Sequence, residues 1–479
     1  MFWFSGAVLA ASLLFGGGTL QGLVSEAVPE LMSLPLLFVA LPRAIPFLKT
    51  YPSALALVVG VLALPCLQLI PLPPELWKAL PGRDFVAEIL TTAQAPMSWR
   101  PISLIPSATW RALLSLLPAV AIFLAILSLG RDPRRRLLLV ALAIGVASAL
   151  LGMLQVLFGG PYFYTFTNAG TAVGFFANHN HLAALNYALL PLGAAALAET
   201  QTPSPAVLVA ILGAVASALL FALVLTASRS AMVLGGVSAA ATLAFVLTPE
   251  LTFLGRRSSL ALIVAFALAL LPIAIGFGIL NIFTRFGTQD LAYLRDMIAA
   301  NTWTGLKSYF PIGAGLGTFS SVYPLHEPVA DLIPDFVNRA HNDGLETLFE
   351  GGAASLLLLL GFIAWLGAST YRAFIREDAV KGRLARAGTI AIWLLLSHSL
   401  WDYPLRTIAL ETLFCFSAAL QFAPPASQFS FRRGGHGEAD RVAHNTRRFP
   451  AAKHLSRGYG NRLRLAAPNR KYHGIIKLV

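Results

Sequence analysis

The chain has 479 residues, of which 57% are hydrophobic and only 12% are charged. This is too little charge to cover the surface of a water-soluble globule, so the composition excludes a soluble protein and indicates a polytopic membrane protein. The formal charge of +13 is concentrated near one terminus, because residues 425–479 hold 12 Lys/Arg and 2 Asp/Glu. We therefore divide the chain into a nearly neutral membrane domain, residues 1–424, and a basic tail, residues 425–479.

The basic tail is predicted to be a disordered cytoplasmic arm. Its few aromatic residues, and its position after a cytoplasmic helix end, favour contact with anionic membrane lipids over binding of nucleic acid. The two cysteines, Cys66 and Cys415, each lie inside an apolar run. They are interpreted as small core residues, and no disulfide framework is implied.

Twelve apolar runs of about 20 residues, the length at which a helix crosses a hydrocarbon core, predict an all-α bundle with about 12 transmembrane helices. The run 27–42 is short and contains Pro35, so we expect it to be tilted or broken. The predicted spans are 2–19, 27–42, 51–71, 108–129, 137–157, 181–198, 206–226, 230–248, 259–282, 341–367, 387–401 and 407–424.

Lysine and arginine in the short connections predict the orientation of these spans, because cytoplasmic loops carry an excess of them. With the N-terminus in the cytoplasm, the basic clusters and the tail fall inside. The connections 72–107, 158–180, 226–230, 283–340 and 401–406 then fall outside. Every candidate chemical group therefore lies on one face of the membrane.

The external loop 283–340 is the largest polar interruption of the chain, and loops of this length are usually functional or disordered. Arg285 and Arg295 lie at its base, and Arg229 lies in the short link between two apolar runs. An arginine in this setting is costly unless it meets an anion or lines a wet cavity. Arginines converging on one cavity would suit a pyrophosphate, because the planar guanidinium binds phosphate oxygens bidentately. Surface ion pairing, or snorkelling of Arg229 to lipid headgroups, is the alternative.

His341-Asn-Asp343 opens the span that follows this loop. Asp343, Glu346 and Glu350 are spaced to share one helical stripe, and acids at this depth face the bundle interior or water. His341 could accept a proton from a hydroxyl nucleophile, because histidine titrates near neutral pH. A purely structural histidine is the alternative.

Two further motifs look like a metal site and a dinucleotide-binding site, but their surroundings in the sequence favour neither. Asn178-His-Asn-His181 alternates histidines, but without a carboxylate or cysteine beside them a metal is not expected, and hydrogen bonding by Asn178 and Asn180 is favoured. The glycine-rich Pro311-Ile-Gly-Ala-Gly-Leu-Gly317 mimics part of a dinucleotide fingerprint but follows no predicted strand. Its glycines are expected to let backbone approach backbone or ligand.

Taken together and in order, these motifs resemble the O-antigen ligase and O-antigen (exopolysaccharide) polymerase family of bacterial inner-membrane proteins. The likeness covers roughly residues 105–424. The motifs are Gly174-Phe-Phe-Ala-Asn-His-Asn-His-Leu-Ala183, Leu225-Thr-Ala-Ser-Arg-Ser230, Pro311-Ile-Gly-Ala-Gly-Leu-Gly-Thr-Phe319 and Ala340-His-Asn-Asp-Gly-Leu-Glu-Thr-Leu-Phe-Glu-Gly-Gly352.

The resemblance implies a GT-C-type membrane glycosyltransferase that takes a glycan from undecaprenyl pyrophosphate at the periplasmic face of the inner membrane. The acceptor would be lipid A core in a ligase, or a second lipid-linked repeat in a polymerase. The family's arginines match Arg229 and Arg295, with Arg285 as an alternative to Arg295, and its His-Asn pair matches His341 and Asn342.

On this interpretation Arg229, Arg295 and His341 are catalytic, while Arg285, Asn178, Asn180, Asn342 and Arg339 contact substrate. The chemistry requires neither a nucleotide nor a metal, because guanidinium groups can stabilise the charge that develops on the leaving pyrophosphate. Three residues after Gly352 the chain has Ser355, where the ligases of the family tend to have glycine, threonine or tyrosine. Whether the protein is a ligase or a polymerase therefore stays open. A transporter or flippase of lipid-linked oligosaccharide is the alternative function, although no internal repeat supports it.

Overall fold

The computed structural model describes residues 1–20, 24–200, 204–249, 255–284, 289–333, 336–378, 380 and 382–424. The basic tail 425–479 lies outside these residues. Helices dominate the described chain, and its strands are a two-residue antiparallel pair, Pro71–Leu72 with Arg100–Pro101. The first eight helices are α1 (Phe2–Phe15), α2 (Val24–Lys49), α3 (Pro52–Gln68), α4 (Pro74–Lys78), α5 (Asp84–Thr92), α6 (Pro106–Leu127), α7 (Arg131–Phe158) and α8 (His179–Ala198). The others are α9 (Pro205–Leu225), α10 (Arg229–Ala241), α11 (Gly255–Thr284), α12 (Gln289–Tyr309), α13 (Phe319–Val322), α14 (Asp343–Tyr371), α15 (Arg383–His398) and α16 (Ile408–Ala419).

Each of the twelve predicted spans overlaps one of these helices. By length and composition, eight candidate spans in the described residues could cross a membrane, and three shorter apolar helices accompany them. The shorter ones are Phe2–Phe15, Pro52–Gln68 and Ile408–Ala419. The predicted class, an all-α polytopic membrane protein, is confirmed.

The second span, which the sequence predicts to be tilted or broken, runs as one helix from Val24 to Lys49 with four prolines inside it. It is not broken at Pro35. A proline removes one backbone hydrogen bond, and a membrane helix tolerates that loss where neighbouring helices re-satisfy the freed groups.

Four spans begin at a polar N-cap whose side-chain oxygen accepts a backbone N–H of the first turn. These caps are Asn178, Ser204, Ser228 and Asn342. Each satisfies one of the N–H groups that a helix start leaves without an intrahelical partner. Two of these caps, Asn178 and Asn342, are also predicted substrate contacts, so they fix where α8 and α14 begin.

One end of the bundle gathers the long connections, and we call it the long-loop end. The N–H of Leu104 donates to the carbonyl of Ala314 at 2.9 Å, and the N–H of Ala172 donates to that of Leu225 at 3.0 Å. Successive connections of a membrane bundle alternate between its two ends. The connections that touch here are separated by an even number of predicted spans, so they lie at the same end. The long-loop end comprises residues 16–20, 69–105, 159–178, 226–228, 289–333, 336–342 and 399–407.

The opposite end gathers the short basic connections. Arg131 pairs with Glu199 at 2.6 Å, and Arg134 donates to the carbonyl of Phe422 at 2.6 Å. These residues belong to connections that the charge bias assigned to one side, so the contacts and the bias sort the chain in the same way.

The large loop folds around a small core of its own. Phe319, Tyr323 and Phe349 pack there with Met297, and the aromatic rings of Phe319 and Phe349 meet edge to face at 5.5 Å. Phe349 belongs to α14, so this core fastens the loop onto the start of a membrane helix. Of the two alternatives that its length left open, functional or disordered, the described part of the loop is not disordered.

Glycine permits a close backbone crossing beneath this loop. Gly313 and Gly352 have φ of +87° and +57°, and a Cβ on either would collide with backbone, at Glu350 and at Pro311 respectively. Only glycine adopts such φ values without strain while leaving this space. The expectation that the glycine-rich segment allows backbone to approach backbone is confirmed at these positions.

Candidate active site

His341 is held at the start of α14 by its neighbour Asn342. The Asn342 Oδ1 accepts the N–H of Leu345 at 2.9 Å, and its Nδ2 donates to the carbonyl of Leu400 at 3.0 Å. Both ends of the Asn342 side chain are thus engaged within the protein. This arrangement positions His341 between the large loop and the connection 399–407.

The backbone of His341 is left-handed, with φ +50°. Such a conformation costs a residue with a Cβ of the order of 1–2 kcal/mol, and strain of this kind concentrates at functional sites. The side chain keeps 26% of its surface exposed, yet its Nδ1 is buried. The exposed surface of the ring therefore belongs to its other atoms, which include Nε2.

Asp402 faces the buried edge of His341. Its Oδ1 lies 3.4 Å from His341 Nδ1, and its side chain is 1% exposed. Burial alone would raise the pKa of Asp402, but the adjacent imidazole of His341, and after it those of His398 and His181, hold that pKa well below its ordinary value. Asp402 is therefore an anion, and it favours the His341 tautomer that carries its proton on Nδ1 and leaves Nε2 free to accept one.

Tyr403 closes the space between the start of α8 and the start of α14. Its ring meets those of His181 and His341 edge to face, each at a centroid distance of 5.0 Å, and its hydroxyl accepts from Asn178 Nδ2 at 3.3 Å. Burial first, and the charge of Asp402 second, raise the pKa of Tyr403 to about 12. The hydroxyl therefore keeps its proton at neutral pH. Asn180, predicted beside Asn178, is buried and gives its N–H to the Asn178 cap at 2.8 Å.

Arg295 lies on α12 with a half-buried side chain. It belongs to the long-loop end, which also contains His341 and Asp402. The structure therefore places the predicted catalytic arginine of the large loop at the same end of the bundle as these two residues.

Arg229 is the first residue of α10 and is exposed. The link before it is tied to the 159–178 connection, because Leu225 accepts the N–H of Ala172 at 3.0 Å. The adjacent Thr171 places its hydroxyl 3.2 Å from His179 Nδ1. Arg229 therefore lies at the long-loop end, beside the connection 159–178, which leads into α8 and its histidines.

Arg339 is engaged inside the protein. Its guanidinium donates to Glu346 at 2.9 Å, and its side chain is almost fully buried. Its assignment as a substrate contact stays a prediction. Arg285, the alternative donor-binding arginine, lies outside the described residues.

The acidic stripe of α14 is buried, as its position indicated, and it meets a partner that the sequence did not point to. Arg406 lies 2.7 Å from Glu350, 3.5 Å from Glu346 and 3.5 Å from Asp343. Burial alone would lower the pKa of Arg406, but these carboxylates raise it above its ordinary value. This network ties α14 to the connection 399–407, and so places Asp402 against His341.

Sequence reasoning missed Asp402, Tyr403 and Arg406 as site residues, although it predicts that the polar stretch Trp401-Asp-Tyr-Pro-Leu-Arg406 lies on the same side as the large loop. The structure places both at the long-loop end. The available signal was an unpaired aspartate between two spans, which is as costly as the arginine that was noticed.

The fold and the site together define one class of protein. It is an all-α polytopic membrane protein with a histidine, a buried carboxylate and arginines at one end of the bundle. Residues 212–360 match the family described as O-antigen ligase. The resemblance is thereby confirmed over the segment that contains Arg229, Arg295 and His341. This match supports a membrane glycan ligase or polymerase, an enzyme of the ligase or glycosyltransferase type with lipid-linked glycan substrates. No curated protein matches the chain.

Proposed function

We propose that this protein transfers or polymerises a glycan from an undecaprenyl-pyrophosphate donor, at the periplasmic face of the bacterial inner membrane. The observation that carries the proposal is the contact of 3.4 Å between His341 and the buried Asp402 at the long-loop end, to which Arg295 also belongs. The acceptor is lipid A core in the ligase form and a second lipid-linked repeat in the polymerase form.

The proposed reaction is a single displacement at the anomeric carbon. His341 Nε2 takes the proton of the acceptor hydroxyl, the acceptor oxygen bonds to the anomeric carbon, and the bond from that carbon to the pyrophosphate oxygen breaks. Asp402 stabilises the imidazolium that forms. Arg229 and Arg295 hold the pyrophosphate, whose negative charge increases as the bond breaks, so their contacts strengthen in the transition state.

An apolar cavity next to this site supports a lipid-linked substrate. It has a volume of about 690 Å³ and lies between α3, α6 and the helices α14 to α16. Arg339, Asp343 and Arg406 line its wall at the long-loop end, whereas the rest is mostly apolar, with residues such as Leu57 and Phe362. A cavity of this kind suits a ligand with a polar head and a hydrocarbon chain.

The envelope glycans of a strain lacking this protein test the proposal. Loss of ligation leaves lipid-linked polymer, and loss of polymerisation leaves single lipid-linked repeats. Accumulation of precursor on the cytoplasmic face would instead identify a transporter and refute the transfer reaction. Restoration by the wild-type chain, but not by His341→Asn, ties the outcome to the site.

A further inference from the structure

His398 lies on the far side of Asp402 from His341. It ends helix α15, its side chain is 1% exposed, and its Nε2 lies 3.7 Å from Asp402 Oδ2. Its Nδ1 lies 2.7 Å from the hydroxyl of Tyr187, a fully buried residue of α8. The reaction described above uses neither His398 nor Tyr187.

The contacts select one protonation pattern for His398. The anionic Asp402 beside Nε2 favours a proton on that nitrogen, and a neutral imidazole then accepts on Nδ1, where the Tyr187 hydroxyl can donate. Asp402 thus has an imidazole nitrogen near each of its oxygens, His341 Nδ1 at 3.4 Å and His398 Nε2 at 3.7 Å, although neither contact is a hydrogen bond in this structure. A buried carboxylate depends on such neighbours, because burying a charge without them is expensive.

We propose that His398, fixed by Tyr187, is a positioning residue for glycan transfer. It keeps Asp402 ionised and turned towards His341, so that His341 presents Nε2 to the acceptor hydroxyl. The inference rests on the proposed function of His341 as general base. It adds no chemical step, because the protons on Tyr187 and on His398 Nε2 stay in place during turnover.

The contacts around Tyr187 and His398 favour a positioning role for His398 over one in which it only fills space in the core. Tyr187 is itself fixed, because Ser238 of α10 donates to its backbone carbonyl at 2.6 Å. Residues of three helices, α8, α10 and α15, thus together fix the orientation of the His398 imidazole. Leucine would keep an apolar side chain at this position but would leave Asp402 Oδ2 without the imidazole nitrogen that now lies 3.7 Å from it.

Three substitutions test the role in the purified full-length protein, with single-turnover transfer and donor affinity measured on each sample. His398→Leu is expected to lower turnover about 10–100-fold, the range typical when a group that orients a functional histidine is removed. His398→Gln places an amide N–H near the position of Nε2 and should recover part of that loss. Tyr187→Phe removes one hydroxyl and should cost less than His398→Leu. Donor affinity should not change in any of them.

Asn186→Leu is the matched control. Asn186 precedes Tyr187 on α8, is fully buried, and its amide has no hydrogen-bond partner among the described residues. This variant alters a buried polar side chain in the same region without touching Asp402, and it should turn over as the wild type does. Equal losses in Asn186→Leu and His398→Leu would show general damage to the core and overturn the inference.

A double-mutant cycle decides whether His398 acts through Asp402. In the Asp402→Asn background, His398→Leu should cost less than about twofold more, because residues that act as one unit are not additive. The same loss in both backgrounds, or glutamine no better than leucine, would overturn the inference. Should His398→Leu fail to fold, Tyr187→Phe decides alone, and wild-type turnover of that variant would reject the role. Wild-type turnover of His341→Asn would instead reject the proposed function itself.

Discussion

Asp402 Oδ1 lies 3.4 Å from His341 Nδ1, although the two residues come from different connections of the chain. His341 precedes α14, and Asp402 follows α15, so their contact exists only because the two helices return to the same end of the bundle. The pair sets a carboxylate against the buried Nδ1 of an imidazole whose side chain is 26% exposed, which favours the tautomer with its proton on Nδ1. That is the arrangement a general base needs, since a base must be oriented as well as basic.

Replacing Arg406 should destabilise the protein severely. Arg406→Leu leaves Asp343, Glu346 and Glu350 buried without the guanidinium they share, and breaking a buried ion pair in this way costs about 3–5 kcal/mol. The thermal unfolding midpoint of the purified protein measures the effect.

Arg136→Ala provides the control for that experiment. Arg136 also pairs with a carboxylate, Asp132, but its side chain is 61% exposed. Exposed pairs contribute about 0–1 kcal/mol, so this variant should unfold close to the wild type. Similar shifts for Arg406→Leu and Arg136→Ala would refute the role of the buried network.

Gly352→Ala should also destabilise the protein strongly, because the new Cβ meets the Pro311 carbonyl and the residue has φ +57°. A left-handed φ alone costs a residue with a Cβ about 1–2 kcal/mol, and the backbone collision adds to that. Gly367→Ala, on the same helix with open space at the Cβ position, should be neutral or stabilising by about 1 kcal/mol. Unfolding midpoints that rank the two variants in the other order would contradict the close crossing of Gly313 and Gly352.

The two long loops should report the same side of the membrane. A reporter active only in the periplasm should work at residues 90 and 320 and fail at residue 440. The first two results are linked, because buried Arg83 donates to the Gly313 carbonyl at 3.1 Å and so joins the two loops. Opposite signals from residues 90 and 320 would contradict the fold, whereas activity at 440 alone would invert the orientation.

Lysine should fail to replace Arg229 or Arg295. Each arginine is proposed to grip pyrophosphate oxygens bidentately, and lysine offers a point charge on a flexible stem. Donor affinity and turnover should both fall in Arg229→Lys and Arg295→Lys. Lys307→Ala is the control, because Lys307 is an exposed cation on the same helix as Arg295 and stacks over Trp303 at 5.8 Å. Full activity of Arg229→Lys would favour snorkelling to lipid headgroups.

The sequence predicted the parts of this structure that depend on local pattern. Apolar run length located the helices, and the spacing of Asp343, Glu346 and Glu350 predicted a buried stripe. The partners of that stripe could not be predicted, because Arg406 lies two helices further along the chain and reaches the stripe only through packing. Asp402 and His398 escaped notice for the same reason: their role depends on which imidazole they face, and no local spacing records it.

The most direct test of the account is glycan transfer by purified His341→Asn, with donor affinity measured on the same sample. Asparagine tolerates the left-handed backbone at this position, so the substitution removes the base without adding strain. We expect turnover to fall by about 10²–10⁴ while the affinity for the lipid-pyrophosphate donor stays at the wild-type value. Wild-type turnover would show that His341 is structural, and a parallel loss of donor affinity would place it with the arginines that hold the pyrophosphate.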